Sequence, residues 1–318
     1  MTKIACLFPG QGSQSVGMGR DFFQHFELAR KIFQEIDASA RRSLSKLCFD
    51  GPAEELKRTV NTQPTILAVS LVAWHCYKEA GGPDPAFLAG HSLGEFSALY
   101  AGGALSLPSA IALVEKRAAL MEACPPGAMS AVLGLDYDRL NGLCSSINSE
   151  NKEDPDKVVI VANFNTREQL VISGNPDSVA KAGAMAKAAG GKVIPLAVGG
   201  AFHSPLMREA AEDFGKLIDQ SDFASAKVPV VQNYNAAPAR ESEILKDNLR
   251  RQMTSSVRWC ETIEYMLSEG VTAFVEIGPG RALSGMVKKI DRSASVYNVE
   301  DRLTLEKTIA SLRSHAVA

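Results

Sequence analysis

The chain has 318 residues, 46% of them apolar and 22% charged, a composition that suits an ordinary globular core held without disulfide or metal staples. At ~150 residues per domain the length suggests two domains, or one large domain carrying an insertion. Lys and Arg number 34 against 36 Asp and Glu, a net charge of −2, which argues against a nucleic-acid partner bound by phosphate neutralisation.

In chain order, the first unit reads strand, loop, helix. Lys3 to Phe8 is a short, almost continuous apolar run, as a buried parallel strand requires, and Pro9-Gly10-Gln11-Gly12-Ser13-Gln14 follows it. Helical periodicity starts near Asp21, and a second helix is expected from about Pro64 to Ala80. A second buried strand, Ala86 to Ala89, runs into Gly90, and the helix from Leu93 to Tyr100 is stopped by Gly102-Gly103. A further helix is expected from Pro108 to Met121. This alternation predicts α/β architecture with a parallel sheet.

The middle of the chain changes pattern. Strand (Met129 to Leu133), helix (Asp138 to Ser146), strand (Lys157 to Ala162), strand (Gln169 to Ser173), helix (Pro176 to Ala189) and strand (Lys192 to Ala197) spell the β-α-β-β-α-β order of a ferredoxin-like unit. The expected division is a catalytic body of residues 1–124 and 197–318, with an inserted ferredoxin-like subdomain at 125–196 that walls the cleft. Turn residues mark both junctions, Pro125-Pro126-Gly127 and Gly199-Gly200. Strands then recur near Val228 to Gln232, Ala273 to Ile277 and Val296 to Val299, before a last helix from Leu305. The six cysteines are scattered without a C-x-x-C pair, so neither a zinc site nor a disulfide framework is expected. The longest apolar stretch, Ile66 to Tyr77, is too short to span a membrane, and Ile4 to Phe8 is too short for a signal-peptide core. A reduced cytoplasmic protein, without membrane contact, is expected.

Gly90-His91-Ser92-Leu93-Gly94 matches G-x-S-x-G between a strand and a helix, the context in which a sharp turn exposes a serine hydroxyl and only small flanking residues fit. Serine needs a base to become a nucleophile. His25 and His75 lie in helical patterns, His315 stands near an end expected to fray, and His91 adjoins the serine and should point away from it as a packing or orienting group. By elimination His203, in Ala201-Phe202-His203-Ser204-Pro205, is the candidate base. Leu93 offers its backbone N–H at a helix N-terminus to an oxyanion, and Gln11, in the glycine-rich first loop, is the candidate second donor. That loop lacks the third glycine of G-x-G-x-x-G and the Lys of a P-loop, so nucleotide binding is not expected. Arg117 falls on or beside the apolar face of Ile111, Val114, Ala118 and Met121, so it must be paired or face a ligand. The residues alone favour a structural salt bridge slightly over a carboxylate-binding role.

Phe8-Pro9-Gly10-Gln11-Gly12-Ser13-Gln14, Gly90-His91-Ser92-Leu93-Gly94-Glu95, Arg117, Ala201-Phe202-His203 and Glu276-Ile277-Gly278-Pro279-Gly280 occur together in one order. In this the chain resembles, over nearly its whole length, the malonyl-CoA:acyl carrier protein transacylases of bacterial fatty-acid synthesis, and it is similar to the acyltransferase domains of polyketide synthases. The resemblance implies an α/β-hydrolase-like body and a malonyl-serine intermediate on Ser92, with His203 as base, Gln11 and Leu93 as oxyanion donors, and Arg117 clamping the malonyl carboxylate. It implies that a backbone carbonyl at Gln252 orients the histidine and that Asn163 and Asn165 are polar neighbours of the site. Malonyl-CoA and acyl carrier protein are the implied partners, with no cofactor, and a monomer is expected. Ala201 and Leu93 fit the malonyl-selective pattern, whereas Gly200 stands where many polyketide domains carry His. Alternatives are a discrete acyltransferase of a polyketide synthase or malonate decarboxylase, a serine acyl hydrolase, and a non-catalytic carrier-binding module. Arg250, Arg251, Arg281, Lys288 and Lys289 are candidates for a basic rim facing an acidic carrier protein, with plain solvated charge as the competing reading.

Overall fold

All five residues of Ile4–Phe8 are buried, because this strand is covered on both faces. Alternate side chains feed two separate cores. Ile4, Cys6 and Phe8 join the larger cluster, packed with the helix Thr59–Glu79, while Ala5 and Leu7 join the cluster around Trp259, Ile263 and Phe274. The computed structural model describes residues 2–317, with side chains to residue 314, and the side chain of His315 lies outside the described ones. Among the described residues the strands are β1 (Ile4–Phe8), β2 (Phe87–Gly90), β3 (Ala128–Leu133), β4 (Val159–Thr166), β5 (Gln169–Gly174), β6 (Lys192–Pro195), β7 (Val230–Val231), β8 (Pro238–Ala239), β9 (Ala273–Ile277) and β10 (Ser295–Val299).

The main sheet has the order β10-β9-β1-β2-β7-β8, parallel except for the β7–β8 pair. The loops after β1, β2 and β7 therefore emerge at one edge, where open α/β sheets form their sites. The second sheet, β4-β5-β3-β6, is wholly antiparallel, and the helices Tyr137–Glu150 and Pro176–Ala188 pack on it around Val132, Leu140, Ile147 and Ile172. Read as βαββαβ, this order is the ferredoxin-like one that the sequence predicts. The chain enters it at Pro126 and leaves at Gly200, and these two residues bridge each other. A second tie joins β4 to the body through Phe164 N to Val257 O (2.9 Å) and Val257 N to Ala162 O (2.8 Å).

Some elements differ from the sequence reading. The second long helix begins at Thr59 rather than Pro64. Proline frees the carbonyl four residues earlier, and here Arg42 Nη2 donates to Val60 O at 2.9 Å, so the helix continues through it. The strand expected at Val228 to Gln232 shrinks to Val230–Val231, since Gln232 and Asn233 turn their amides toward Glu95. Helices Ser242–Gln252, Trp259–Ser268 and Ala282–Ile290, which the sequence reading passes over, fill the second half of the body. Glu276, at the end of β9, accepts from the N–H groups of Leu283 (3.1 Å) and Ser284 (2.7 Å), which caps the last of these helices.

Gly94 is required by contact: a Cβ there would lie 2.0 Å from Phe8 O. Gly94→Ala should therefore lower unfolding stability by on the order of 3 kcal/mol, read from denaturant midpoints. A change below about 0.5 kcal/mol would show that β1 and the Gly94–Ala101 helix are not in that close approach.

Candidate active site

Ser92 sits between β2 and the helix Gly94–Ala101, with φ of 51°, a left-handed conformation that costs a non-glycine residue energy. The turn is held from a distant segment. Asn233 Oδ1 accepts from Ser92 N at 2.6 Å, and Asn233 Nδ2 donates to Gly90 O at 2.7 Å, so one side chain staples both sides of the turn. Asn233 is itself fixed by Glu95, whose buried carboxylate accepts from Asn233 N (2.8 Å) and Gln232 Nε2 (3.1 Å). Asn248 Nδ2 donates to Gln232 Oε1 at 2.8 Å, completing the chain. Burial pushes the Glu95 carboxyl above its ordinary range, against these hydrogen bonds.

His203 is 4% exposed and, like Ser92, has positive φ, 58°. Its Nδ1 lies 3.0 Å from Gln252 O. A carbonyl can only accept, so Nδ1 carries the proton and Nε2 is free to accept. That Nε2 is 2.7 Å from Ser92 Oγ, the distance of a hydroxyl donating to its base. Burial, then the charge of Arg117, pushes the imidazole from 6.5 down to about 3, so at neutral pH it is an unprotonated base.

Arg117, on the helix Leu107–Glu122, is 1% exposed. The salt bridge that the residues alone favoured is absent: among the described residues no carboxylate pairs with it. Nη1 donates to Gln63 Oε1 (2.7 Å), and Nη2 donates to Gln252 Oε1 (3.1 Å) and to Ser92 Oγ (3.0 Å). The guanidinium lies 5.6 Å from the centre of the Phe96 ring, and Nε is buried without a partner. Burial lowers the pKa to about 10, opposed by the more distant Glu95, so the group stays cationic. Neutral oxygens hold it in place and leave its charge available.

A cavity of about 250 Å³ opens over these groups, lined from the body by Gln11, Ser92, Leu93 and Arg117 and from the small sheet by Met129 and Asn163. The backbone N–H groups of Gln11 and Leu93 have no hydrogen-bond partner among the described residues, so both donors are unspent. Asn165 Oδ1 is 2.8 Å from His91 Nε2, and the His91 ring meets Trp259 edge-on, as a packing and orienting residue should. Asn163 lines the cavity without bonding any of the three central groups. His25 pairs with Asp21, and His75 with Tyr100. The basic-rim candidates each bond a neighbour: Arg250 pairs with Asp219, Arg251 with Asp247 and Arg281 with Glu300, while Lys288 donates to the carbonyls of Arg292 and Ala294 and Lys289 to Gln169. Sequence reasoning missed Gln63 and Asn233. No motif marks either one, and Gln63 is one of several polar residues, with Asn61, Thr62 and Thr65, in the first part of its helix.

The acyl transferase domain pattern matches residues 6–307. The malonyl CoA-acyl carrier protein transacylase of Bacillus subtilis (strain 168) is 43% identical over 317 residues, covering 98% of each chain. The chain belongs to the malonyl-CoA:acyl carrier protein transacylase family. The solved Coxiella burnetii transacylase superposes with a TM-score of 0.92 at 35% identity, covering 97% of each chain. A malonyl-transacylase solved in complex with a type II PKS acyl-carrier protein gives a TM-score of 0.93 at 38% identity, covering 98% of this chain and 100% of that one. The α/β body with its antiparallel second sheet is thus the transacylase fold.

The low pKa of His203 has a sign that can be tested. Unfolded, the histidine takes a proton as pH falls through 6.5; folded, it stays neutral down to about 3. The unfolded state binds more protons in that window, so stability falls as pH falls across it. Between about pH 7 and about pH 5 this residue should account for a loss of about 2 kcal/mol, which His203→Gln removes. Equal pH dependence of the denaturation midpoint in both chains would contradict the buried neutral histidine.

Proposed function

We propose that this protein transfers a malonyl group from malonyl-CoA to the phosphopantetheine thiol of acyl carrier protein in fatty-acid synthesis, through an ester on Ser92. The observation that carries this reading is the position of Ser92 Oγ, 2.7 Å from a neutral imidazole and 3.0 Å from a buried guanidinium without a carboxylate partner. A general serine hydrolase has the first neighbour and no use for the second. An acyl group ending in a carboxylate uses both.

In the first half-reaction His203 Nε2 takes the hydroxyl proton as Ser92 Oγ attacks the thioester carbonyl. The N–H groups of Gln11 and Leu93 receive the oxyanion. Collapse breaks the C–S bond, and His203 returns the proton to the departing CoA thiolate. In the second half-reaction His203 deprotonates the carrier thiol, which attacks the malonyl ester, and the proton returns to Ser92. Gln252 O keeps the imidazole in the required tautomer, and Asn163 and Asn165 complete the polar wall opposite. These steps are complete without a resident cofactor.

Residues 125–196 act as a small subdomain closing the cleft of a body made of 1–124 and 197–318, and the reading includes a monomeric, cytoplasmic enzyme. Among the described residues no helix is long and apolar enough to cross a membrane. A polyketide carrier protein as acceptor is the second reading, favoured by the relative solved with such a partner.

Intact-mass analysis after mixing with malonyl-CoA should show one malonyl adduct, lost in Ser92→Ala. An adduct that survives Ser92→Ala contradicts the mechanism. Arg117→Ala should lose malonyl transfer by about 100-fold or more and gain transfer from acetyl-CoA. An unchanged preference for malonyl-CoA would remove Arg117 from the clamp.

A further inference from the structure

The hydrogen bond from Arg117 to the serine hydroxyl has consequences for an enzyme still empty of substrate. We propose that Arg117 is a substrate-operated brake on Ser92: in the empty site its guanidinium holds the serine oxygen, and the carboxylate of the incoming acyl group draws it off and frees the nucleophile. This rests on the malonyl-transfer reading above and adds a second role to the same residue.

A guanidinium has five N–H groups, and a carboxylate is gripped by two of them in parallel, either Nε with Nη2 or Nη1 with Nη2. Both grips need Nη2. Its two protons are already given, one to Ser92 Oγ at 3.0 Å and one to Gln252 Oε1 at 3.1 Å. Nε has no partner, and Nη1 gives one proton to Gln63. Two-point capture of a carboxylate therefore takes an Nη2 proton from Ser92 or from Gln252. Gln252 is anchored at two further points, Nε2 to Ser92 O (3.1 Å) and its carbonyl to His203 Nδ1 (3.0 Å). Ser92 Oγ is otherwise bonded to His203 Nε2 (2.7 Å), a contact in which it is the donor and which leaves it free to give up Nη2, and it loses acceptor strength on becoming an ester oxygen. The serine is the partner that yields.

Attack turns the Oγ lone pair that the guanidinium holds into a bond to carbon, and moves a proton onto His203, beside that guanidinium. The charged or titratable groups facing His203 are Arg117 and His91, and both oppose its protonation. Glu95 offsets Arg117 but makes no contact with it, being bonded to Gln232 and Asn233. In the empty site, proton uptake must create a second positive charge in a buried place. A carboxylate on Arg117 cancels the first. The substrate group that is recognised thereby also raises the basicity of His203 and releases Oγ, so acyl groups lacking a carboxylate meet a serine still held.

Pre-steady-state bursts with p-nitrophenyl acetate read the brake without any malonyl group. In this reaction Oγ bonds to the acetyl carbon, the ester C–O bond breaks to p-nitrophenolate, and the serine proton passes to His203 and then to solvent. Sodium formate serves as a carboxylate too small to block the ester, against sodium chloride at equal ionic strength. Formate should speed the burst of the unaltered enzyme on the order of tenfold. Arg117→Met, which cannot donate, should burst faster than the unaltered enzyme by a similar factor and ignore formate. A burst that formate slows or leaves unchanged in the unaltered enzyme overturns the brake. So does a folded Arg117→Met enzyme that bursts no faster. The formate arm decides alone if Arg117→Met does not fold. A failed malonyl-transfer reading would instead appear as a missing malonyl adduct, with these bursts still readable.

Discussion

A guanidinium buried to 1% exposure, with no carboxylate among the described residues bonded to it, is the constraint around which the rest of this site is arranged. Leaving such a charge unpaired costs several kcal/mol unless nearby dipoles replace the lost water. Gln63 from the long central helix, Gln252 from the end of Ser242–Gln252, and the face of Phe96 do so here. A full counter-ion in contact would have stabilised the fold equally well and would have left nothing for a substrate to bind. Glu95 is placed to offset the charge without touching it, its oxygens being occupied by Gln232 and Asn233.

The same polar cluster stabilises the strained serine turn. Ser92 keeps a left-handed backbone because Asn233 bridges Gly90 O and Ser92 N, and Glu95 holds Asn233. With Ser92 N occupied, the N–H groups of Leu93, at the start of the next helix, and of Gln11 are without an acceptor among the described residues, and both residues line the cavity. Gln252 then joins the halves: its carbonyl sets the histidine tautomer, its Nε2 binds Ser92 O, and its Oε1 holds Arg117. One residue thus bonds to Ser92, His203 and Arg117 together, and a shift of the helix Ser242–Gln252 would reach all three.

Much of this was legible in the chain. G-x-S-x-G between a strand and a helix marked Ser92, elimination among five histidines marked His203, and βαββαβ patterning marked the second sheet. What was not legible depends on contacts between distant segments. Asn233 acts 141 residues from Ser92, and no local pattern marks it. Arg117 read slightly as a structural ion pair because sequence spacing shows burial but not partners; the amides of Gln63 and Gln252 meet it only in the folded chain. Pro64 looked like a helix start because its missing donor is costly inside a helix, and only Arg42, 18 residues from Val60, meets the freed carbonyl. The candidate rim cations each bond a neighbour on the surface, through pairings between distant segments that no local pattern shows.

The central claim is that this site selects its acyl group by charge, through Arg117, and not by size. The direct measurement compares the acylation rate of Ser92 by malonyl-CoA with that by its terminal methyl ester, a donor of nearly the same length without the negative charge. The account predicts that the charged donor acylates faster by about 100-fold or more, and that Arg117→Met erases the difference. Equal rates for the two donors in the unaltered enzyme would contradict it.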